Sequence, residues 1–273
     1  MVREAVADRY VVDREIGRGG AARVFRAKAP DGTVVALKVL HPELLVSVAA
    51  ERFLREIRLV SQLDHPGIGR LLDSGERDWL VYYVMPYIEG PTLKAYLARY
   101  GHLSLADTLR TAQDLLAALD HAHQREIIHR DVKPDNIMLA STGVVLLDFG
   151  IARAIEVSGS DRLTRSGVAV GTSSYMSPEQ IGGAQDIDYR SDLYSLGCVL
   201  FECLAGKPPF QHQSEVAVLQ MHRTHAPPDL RQLRPDAPPE WAVVVGRALE
   251  KDRADRWNSA RAMRDALPGS GEP

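Results

Sequence analysis

The sequence predicts an α+β fold in two lobes: a small β-rich N-terminal lobe with one helix, and a larger, mainly helical C-terminal lobe. The hydrophobic periodicity supports this prediction. Residues 10–40 alternate as strands do, whereas residues 49–63 and most of the chain after Gly90 carry apolar residues three and four positions apart, as amphipathic helices do. With 273 residues, the chain is long enough for two hydrophobic cores.

The composition excludes several other classes of protein. Hydrophobic residues make up 45% and charged residues 25%, which is typical of globular domains. A net charge of -3 gives no electrostatic argument for binding nucleic acid. No apolar stretch reaches the roughly 18 residues of a spanning helix, so no membrane contact is expected in this chain. Cys198 and Cys203 lie in an apolar run, and we expect them to be reduced core residues.

The elements of the N-terminal lobe are predicted in this order. Strand patterns cover residues 11–16, 23–29 and 33–40, with a turn signal at Asp31-Gly32. A stripe of Phe53, Glu56, Val60 and Leu63 predicts the single helix of the lobe. Residues 71–72 and 79–85 are expected to form two more strands, the second ended by Pro86.

The C-terminal lobe is predicted to begin with a long amphipathic helix through Leu109, Leu116 and His123. His121 and His123 would lie on different faces of it, so we expect a core-facing His123 rather than a metal pair. Residues 152–174 have no period and predict a long functional loop, and residues 268–273 predict a flexible tail. Further helices are expected near residues 179–182, 191–205, 214–224, 239–250 and 259–266.

A glycine-rich turn joins the first two predicted strands, in the run Ile16-Gly17-Arg18-Gly19-Gly20-Ala21-Ala22-Arg23-Val24. Successive N–H groups without intervening side chains can bind a phosphate, but an ordinary hairpin turn explains such a run at least as well. A strand rather than a helix follows the glycines, and no Lys-Ser/Thr pair closes the turn. The Rossmann and P-loop motifs are therefore excluded.

Lys38 stands inside an apolar strand, and Glu56 interrupts an apolar helical stripe. A lysine in such a strand either reaches solvent or meets a buried anion. Because Glu56 needs a partner as well, we expect the two side chains to pair, with Lys38 directed at the glycine turn.

The most informative run is His129-Arg130-Asp131-Val132-Lys133-Pro134-Asp135-Asn136, followed twelve residues after Asn136 by Asp148-Phe149-Gly150. Asp148 comes directly after a predicted apolar strand. Two carboxylates and one amide supply hard oxygen ligands that suit Mg²⁺ together with phosphate oxygens. Turn chemistry alone does not explain a run with so much specific spacing.

In their order along residues 10–267, these runs resemble the protein kinase catalytic domain. Ser177-Pro178-Glu179 stands in place of Ala-Pro-Glu, Asp192 matches the family's buried aspartate at a helix start, and Arg256 matches the arginine that pairs with Glu179. The resemblance implies the bilobal protein-kinase fold, with residues 10–87 as N-lobe and 88–267 as C-lobe. Ala22 replaces the third glycine of the turn, from which we expect a slightly stiffer loop and no loss of activity.

The resemblance also implies an ATP-dependent phosphotransferase that uses Mg²⁺, with Mn²⁺ as an alternative ion. Asp131 would accept the proton of a Ser or Thr hydroxyl, and Lys133 would steady the γ-phosphate. Lys38, held by Glu56, would position the α- and β-phosphates, and His129 would pack against Phe149. Asn136 and Asp148 would hold two Mg²⁺ ions. The other ATP contacts are expected from residues 16–22 of the glycine turn and from Val24, Ala36, Met85, Ile88 and Met138.

The lysine two residues after Asp131 and the pair Gly171-Thr172 resemble Ser/Thr kinases rather than tyrosine kinases. Thr172 would contact Asp131 and Lys133. His65-Pro66-Gly67-Ile68 and Ser177-Pro178-Glu179-Gln180 resemble the bacterial, eukaryotic-like branch. Arg130 beside Asp131 predicts regulation by a phosphate on the activation segment. Thr164 and Ser166 are the candidate sites, and autophosphorylation is expected at Thr164.

Two alternatives stay open. A nucleotide-binding pseudokinase would normally lack Lys38, Asp131, Asn136 or Asp148, all of which are present. A small-molecule phosphotransferase of the same fold would lack the segment from Gly171 to Glu179. The resemblance implies ATP and protein substrates as partners, and an N-lobe homodimer as in relatives. A cytoplasmic location is expected, whether alone or as the cytoplasmic part of a larger membrane-anchored kinase.

Overall fold

The computed structural model describes residues 2–19, 22–41, 54, 57–58, 60–77, 80–149 and 173–269. The chain divides into two compact units. Unit 1 contains the described parts of Met1–His65 and Gly69–Glu89, and unit 2 contains Pro66–Ile68, Gly90–Phe149 and the described part of Val170–Pro273.

Unit 1 is built on an antiparallel sheet of five strands. A short helix, α1 (Val2–Ala5), precedes it. The strands are β1 (Val11–Arg18), β2 (Ala22–Lys28), β3 (Val34–Leu40), β4 (Asp73–Arg77) and β5 (Leu80–Pro86). Their order in the sheet is β1-β2-β3-β5-β4.

The core of unit 1 lies on one face of this sheet. Phe25, Leu37 and Tyr82 come from three neighbouring strands and are buried together, because alternate residues of a strand point to the same face. Val6, in the segment before the first strand, is buried in the same cluster. The residues before β1 therefore pack as part of this unit.

The predicted strand at residues 71–72 is wrong, because regular pairing begins only at Asp73 and continues to Arg77. Leu72 donates its N–H to the carbonyl of Val84 at 2.8 Å but does not belong to the strand. β4 is polar since it is an edge strand with exposed side chains, and the apolar pattern that usually marks strands is absent from it.

The helix predicted at 49–63 lies mostly outside the described residues, and the described positions between 54 and 60 are helical.

Unit 2 is mainly helical. Its two-stranded sheet is formed by β6 (Ile137–Ala140) and β7 (Gly143–Leu146). The helices described are α2 (Leu93–Tyr100), α3 (Leu105–His123), α4 (Pro178–Ile181), α5 (Arg190–Ala205), α6 (Glu215–Thr224), α7 (Leu230–Leu233), α8 (Pro239–Ala248) and α9 (Ala260–Asp265). The five helices predicted after residue 178 are present within two residues of the expected bounds, and α3 begins four residues before Leu109, the first residue predicted for it. No bounds were predicted for α2 and α7. The loop predicted at 152–174 falls outside the described residues except for Ser173 and Ser174, as does the tail from residue 270.

Helix α5 forms the centre of unit 2 and is buried on nearly all sides. A Cβ at Gly197 would lie 2.8 Å from the Cβ of Ala248, so glycine allows α5 and α8 to approach closely. Cys198 and Cys203 are buried free thiols in this helix, which confirms the prediction that they are core residues.

Candidate active site

The loop that begins at His129 is fixed at its start by a buried carboxylate. Asp192, in the first turn of α5, is 1% exposed and accepts the N–H groups of His129 and Arg130 at 2.9 and 2.8 Å. Arg130 has a φ of 68°, a left-handed conformation that is costly for residues other than glycine. The two hydrogen bonds therefore hold the loop in a strained geometry.

His123 is the third partner of Asp192, with its Nε2 atom 2.8 Å from the carboxylate. Burial raises the pKa of the Asp192 carboxyl, but His123 and the N–H of His129 outweigh this effect, so the pKa lies below its ordinary value. Asp192 is therefore ionised at neutral pH and accepts charge-assisted hydrogen bonds. The buried position of His123 confirms the prediction that it faces the core.

Three polar side chains meet in the middle of the loop. The ammonium of Lys133 lies 2.7 Å from the carboxylate of Asp131. The amide nitrogen of Asn136 donates to the carboxylate of Asp131 at 3.1 Å and to its carbonyl at 2.9 Å. These contacts fix the Asp131 carboxylate while about a quarter of its side chain, 27%, remains exposed. A fixed, accessible carboxylate can accept a proton from an incoming hydroxyl group.

Asp148 follows β7, and the backbone brings it next to the same loop. The N–H of Leu147 donates to the carbonyl of Asn136 at 2.8 Å. Asp148 has a φ of 64°, again in the left-handed region. His129 joins the two segments, because its Nδ1 accepts the N–H of Asp131 at 3.1 Å and its Nε2 donates to the carbonyl of Leu147 at 2.7 Å. Its ring meets Phe149 edge-on, with the ring centres 4.6 Å apart.

The oxygen donors of these segments fit a divalent cation that is shared with phosphate oxygens. Asn136 is only 7% exposed, and its amide nitrogen is held by Asp131, so its side-chain oxygen is the atom left for a ligand. Asp148 supplies a carboxylate from the adjoining segment. No group of three or more His, Cys, Asp and Glu side chains that could hold a metal occurs among the described residues. A site with few protein ligands is the kind that Mg²⁺ prefers.

Unit 1 carries the other predicted site residues on its sheet. Lys38 of β3 is opposite Val24 on one side and Tyr83 on the other, and its ammonium lies 5.7 Å from the ring centre of Tyr83. Ala36 and Met85 are a cross-strand pair and both are buried. Glu56, the predicted partner of Lys38, lies outside the described residues.

The glycine turn joins β1 to β2. Gly17 is opposite Val24, and the N–H of Gly19 donates to the carbonyl of Ala22 at 2.9 Å, which closes the turn. Ile16 and Arg18 lie at the end of β1, with Arg18 bonded to Glu15 at 2.9 Å. Gly20 and Ala21 lie outside the described residues. Ala22 is buried at the start of β2, where a small residue fits.

The remaining predicted residues are distributed as follows. In unit 1, Ile88 is half-buried just after β5, and in unit 2, Met138 of β6 is half-buried and bridges to Thr92. Thr164, Ser166 and Thr172 lie outside the described residues, so the structure does not describe the predicted regulatory sites.

The segment from Ser173 to Ile181 is tied to both α5 and the loop. Glu179 pairs with the buried Arg256 through two hydrogen bonds, of 2.7 and 2.8 Å. Burial raises the pKa of the Glu179 carboxyl, but Arg256 and Ser191 outweigh this effect and the pKa lies below its ordinary value. Gln180 donates to the carbonyl of Arg130 at 2.8 Å, which connects α4 directly to the loop.

Sequence reasoning missed several contributors to this arrangement. It did not assign His123 to Asp192 or Gln180 to Arg130, and it missed the hydrogen bond from the Tyr175 hydroxyl to Glu202. It also missed His41, whose Nε2 lies 3.2 Å from the carbonyl of Gly19 in the turn. A polar residue inside an apolar helical stripe was the available signal for His123 and Glu202. Nothing in the sequence pattern indicated the others.

Comparison with known proteins agrees with this geometry. The model of the protein kinase domain matches residues 10–267. A probable serine/threonine-protein kinase PknB of Bifidobacterium longum is 40% identical over 264 residues, which cover 92% of this chain and 38% of the relative. PrkC of Bacillus subtilis is 36% identical over 96% of this chain and 40% of its own length. Pkn3 of Myxococcus xanthus is 39% identical over 97% of this chain and 50% of its own length.

Fold and loop geometry together define a protein kinase domain. The chain belongs to the protein kinase family, which confirms the predicted resemblance to the protein kinase catalytic domain and the predicted α+β kinase fold. The chain spans between 38% and 50% of the length of these three relatives. Among the described residues, no helix has the length and apolar character needed to cross a membrane.

Proposed function

We propose that this chain transfers the γ-phosphate of ATP to serine and threonine hydroxyls of protein substrates. The observation that carries the proposal is the Asp131 carboxylate, held by Lys133 at 2.7 Å and by Asn136 at 3.1 Å in a loop anchored on Asp192. In this role Asp131 accepts the proton of the acceptor hydroxyl as the oxygen attacks phosphorus, and Lys133, the partner of Asp131, steadies the transferred phosphoryl group.

The metal in this proposal is Mg²⁺, with Mn²⁺ as the alternative, and Asn136 and Asp148 hold two such ions. When bound, such an ion neutralises phosphate charge and orients the oxygens for transfer. The hydrogen bond between the Leu147 N–H and the Asn136 carbonyl supports this assignment, because it keeps the two donor residues on adjoining segments. The left-handed backbone at Asp148 supports it too, since strain of this kind is common at functional residues.

The nucleotide contacts in unit 1 complete the proposal. Lys38 positions the α- and β-phosphates with Glu56 as its partner, and the glycine turn covers them with its N–H groups. Val24 and Ala36, together with Met138 of unit 2, are assigned to the faces of adenine. Met85 is assigned to the back pocket, and the backbone near Ile88 to hydrogen bonds with the base. The proposed domain spans residues 10–267, with lobes at 10–87 and 88–267.

Regulation, partners and location are also proposed from the sequence pattern. Arg130 would pair with a phosphate on Thr164 or Ser166, with Thr172 contacting Asp131 and Lys133. An N-lobe homodimer is proposed from the resemblance. A cytoplasmic location, as a separate protein or as part of a longer membrane-anchored kinase, fits the need for ATP and the two free thiols.

The test is phosphorylation of a Ser/Thr peptide library by the purified chain with radiolabelled ATP and Mg²⁺, compared with Asp131→Asn. We expect labelled peptides with the wild type and a loss of about 10²- to 10⁴-fold in the variant. ATP binding without transfer in both proteins would indicate a signalling scaffold instead. Phosphorylation of an aminoglycoside with no labelled peptide would indicate a small-molecule phosphotransferase.

A further inference from the structure

Lys251 lies among aromatic side chains in unit 2, in a cluster that the proposed phosphotransfer does not use. Its ammonium is 4.4 Å from the ring centre of Phe210 and 5.6 Å from that of Tyr194. It donates to the Tyr194 hydroxyl at 3.4 Å. Lys94 and Lys133 each pair with an aspartate at 2.7 Å, but no carboxylate partner of Lys251 occurs among the described residues. Lys251 is therefore a half-buried cation held by rings rather than by an anion.

The titratable groups around Lys251 do not restore an anion. The hydroxyl of Tyr194 is 2.9 Å from Nδ1 of His222, and burial lowers the pKa of His222 to about 4, so His222 is neutral. The guanidinium of Arg256 lies 4.8 Å from the ring centre of Tyr194. Cys198 is buried in α5, and burial raises the pKa of its thiol, so it is also neutral. Glu250, the neighbour of Lys251 in the chain, is exposed.

The charge state of Lys251 follows from these surroundings. Burial lowers its pKa to about 8, with Arg256 acting in the same direction and the exposed Glu250 acting against it. At pH 7.5 roughly a quarter of such amines are neutral, compared with roughly 0.1% for an exposed lysine of ordinary pKa. The neutral amine is the nucleophilic form, and desolvation is a known way to activate a lysine.

We propose that Lys251 is a site of Nε-acylation by small activated carboxylic acids, of which acetyl phosphate is the simplest. The nitrogen lone pair attacks the carbonyl carbon, and a C–N bond forms. The C–O bond to phosphate breaks, phosphate leaves with the electron pair, and the amine proton passes to solvent. The product amide carries no charge, so it loses the attraction to the faces of Phe210 and Tyr194. Because α6, which carries His222, packs against the turn Ser173–Tyr175, acylation would loosen the support of that turn.

The test uses the whole chain with acetyl phosphate at pH 7.5, and acetylation of each lysine is followed by mass spectrometry. Lys28 and Lys207 are exposed and serve as internal references. We expect Lys251 to react at least fivefold faster than either, with a rate that levels off above about pH 8.5, whereas the references keep accelerating to pH 10. In urea that unfolds the chain, the advantage should disappear.

Equal or slower acetylation of Lys251, or a rate that rises to pH 10 without levelling, would overturn the proposal. A parallel arm with acetyl-CoA distinguishes the source of the acyl group: selective reaction with either donor supports the site, and selectivity with neither donor overturns it. The variant Lys251→Arg identifies the labelled peptide, and Lys207→Arg is its matched control. None of these readouts depends on kinase activity, so they stand apart from the test of the proposed function.

Discussion

The two units hold their proposed site residues in different ways. In unit 2 the loop from His129 to Asn136 is irregular, and buried side chains satisfy its backbone groups, with Asp192 at the centre. In unit 1 the candidate residues lie on a regular sheet, whose ladder already satisfies the backbone. Asp73 in unit 1 has a side chain that is 25% exposed, and among the described residues its carboxylate is bonded to the side chains of Arg9 and Tyr10.

This difference shows where a buried polar group is needed. Every buried N–H and carbonyl must find a partner, and a chain that leaves the regular ladder must find it among side chains. We therefore expect unit 2 to depend strongly on single carboxylates and unit 1 to depend on its apolar core. Four predictions test this contrast, and the largest expected effect comes first.

Replacing Asp192 by Asn is expected to lower the free energy of unfolding by about 3–5 kcal/mol, because a buried charged partner is removed from His123 and from two N–H groups. The matched variant Asp73→Asn is expected to cost about 1 kcal/mol or less, since its ion pair with Arg9 is partly exposed. Urea denaturation of both variants measures the difference. Similar costs for the two variants would contradict the contrast between the units.

The sequence predicted the elements of the fold that are buried on at least one face. The periodicity of α3 and the apolar run of α5 are of this kind, and so are β2, β3 and β5, because burial imposes a regular pattern. The bounds of strand β4 were not predicted, because an edge strand need not be apolar.

The contacts of the candidate site were predicted from the sequence only in part. The spacing around Asp131 and Asp148 carried enough information to identify the family, and the pairing of Glu179 with Arg256 was predicted from the resemblance. The hydrogen bonds of His123 and Gln180 were not predicted, because they join residues 69 and 50 positions apart. Contacts of that range depend on tertiary packing, which leaves no periodic signal in the chain.

Replacing Glu179 by Gln is expected to cost about 3 kcal/mol at pH 7, because Arg256 keeps a buried charge without an ionised partner. The folded pKa of Glu179 lies below the ordinary 4.5, so its contribution is complete above that pH and is lost as the pH falls through the lower folded value. The difference between wild type and variant in urea denaturation should therefore shrink as the pH falls below about 4.5. The exposed Glu240→Gln is the control, and a constant difference for Glu179→Gln would count against this account.

Replacing Ser177 by Ala removes the capping box of α4 and is expected to cost about 1–2 kcal/mol. The exposed cap of α3 offers a control, Ser104→Ala, with a similar cost of about 1 kcal/mol. Only Ser177→Ala should also slow peptide phosphorylation, because its partner Gln180 binds the carbonyl of Arg130. Equal rates of peptide phosphorylation in the two variants would show that Gln180 holds the loop in place even without the Ser177 cap of α4.

Replacing Tyr10 by Phe tests unit 1 and carries the smallest expected effect. The hydroxyl of Tyr10 donates to Asp73 at 2.6 Å, and its loss should cost about 1 kcal/mol, the net value of one hydrogen bond whose acceptor keeps Arg9 as a partner. The exposed Tyr100→Phe should leave the urea midpoint unchanged, and neither variant should alter peptide phosphorylation. A cost near that of Asp192→Asn would mean that the polar contacts before β1 are as important to unit 1 as Asp192 is to unit 2. That result would contradict the expectation that unit 1 depends on its apolar core rather than on single polar contacts.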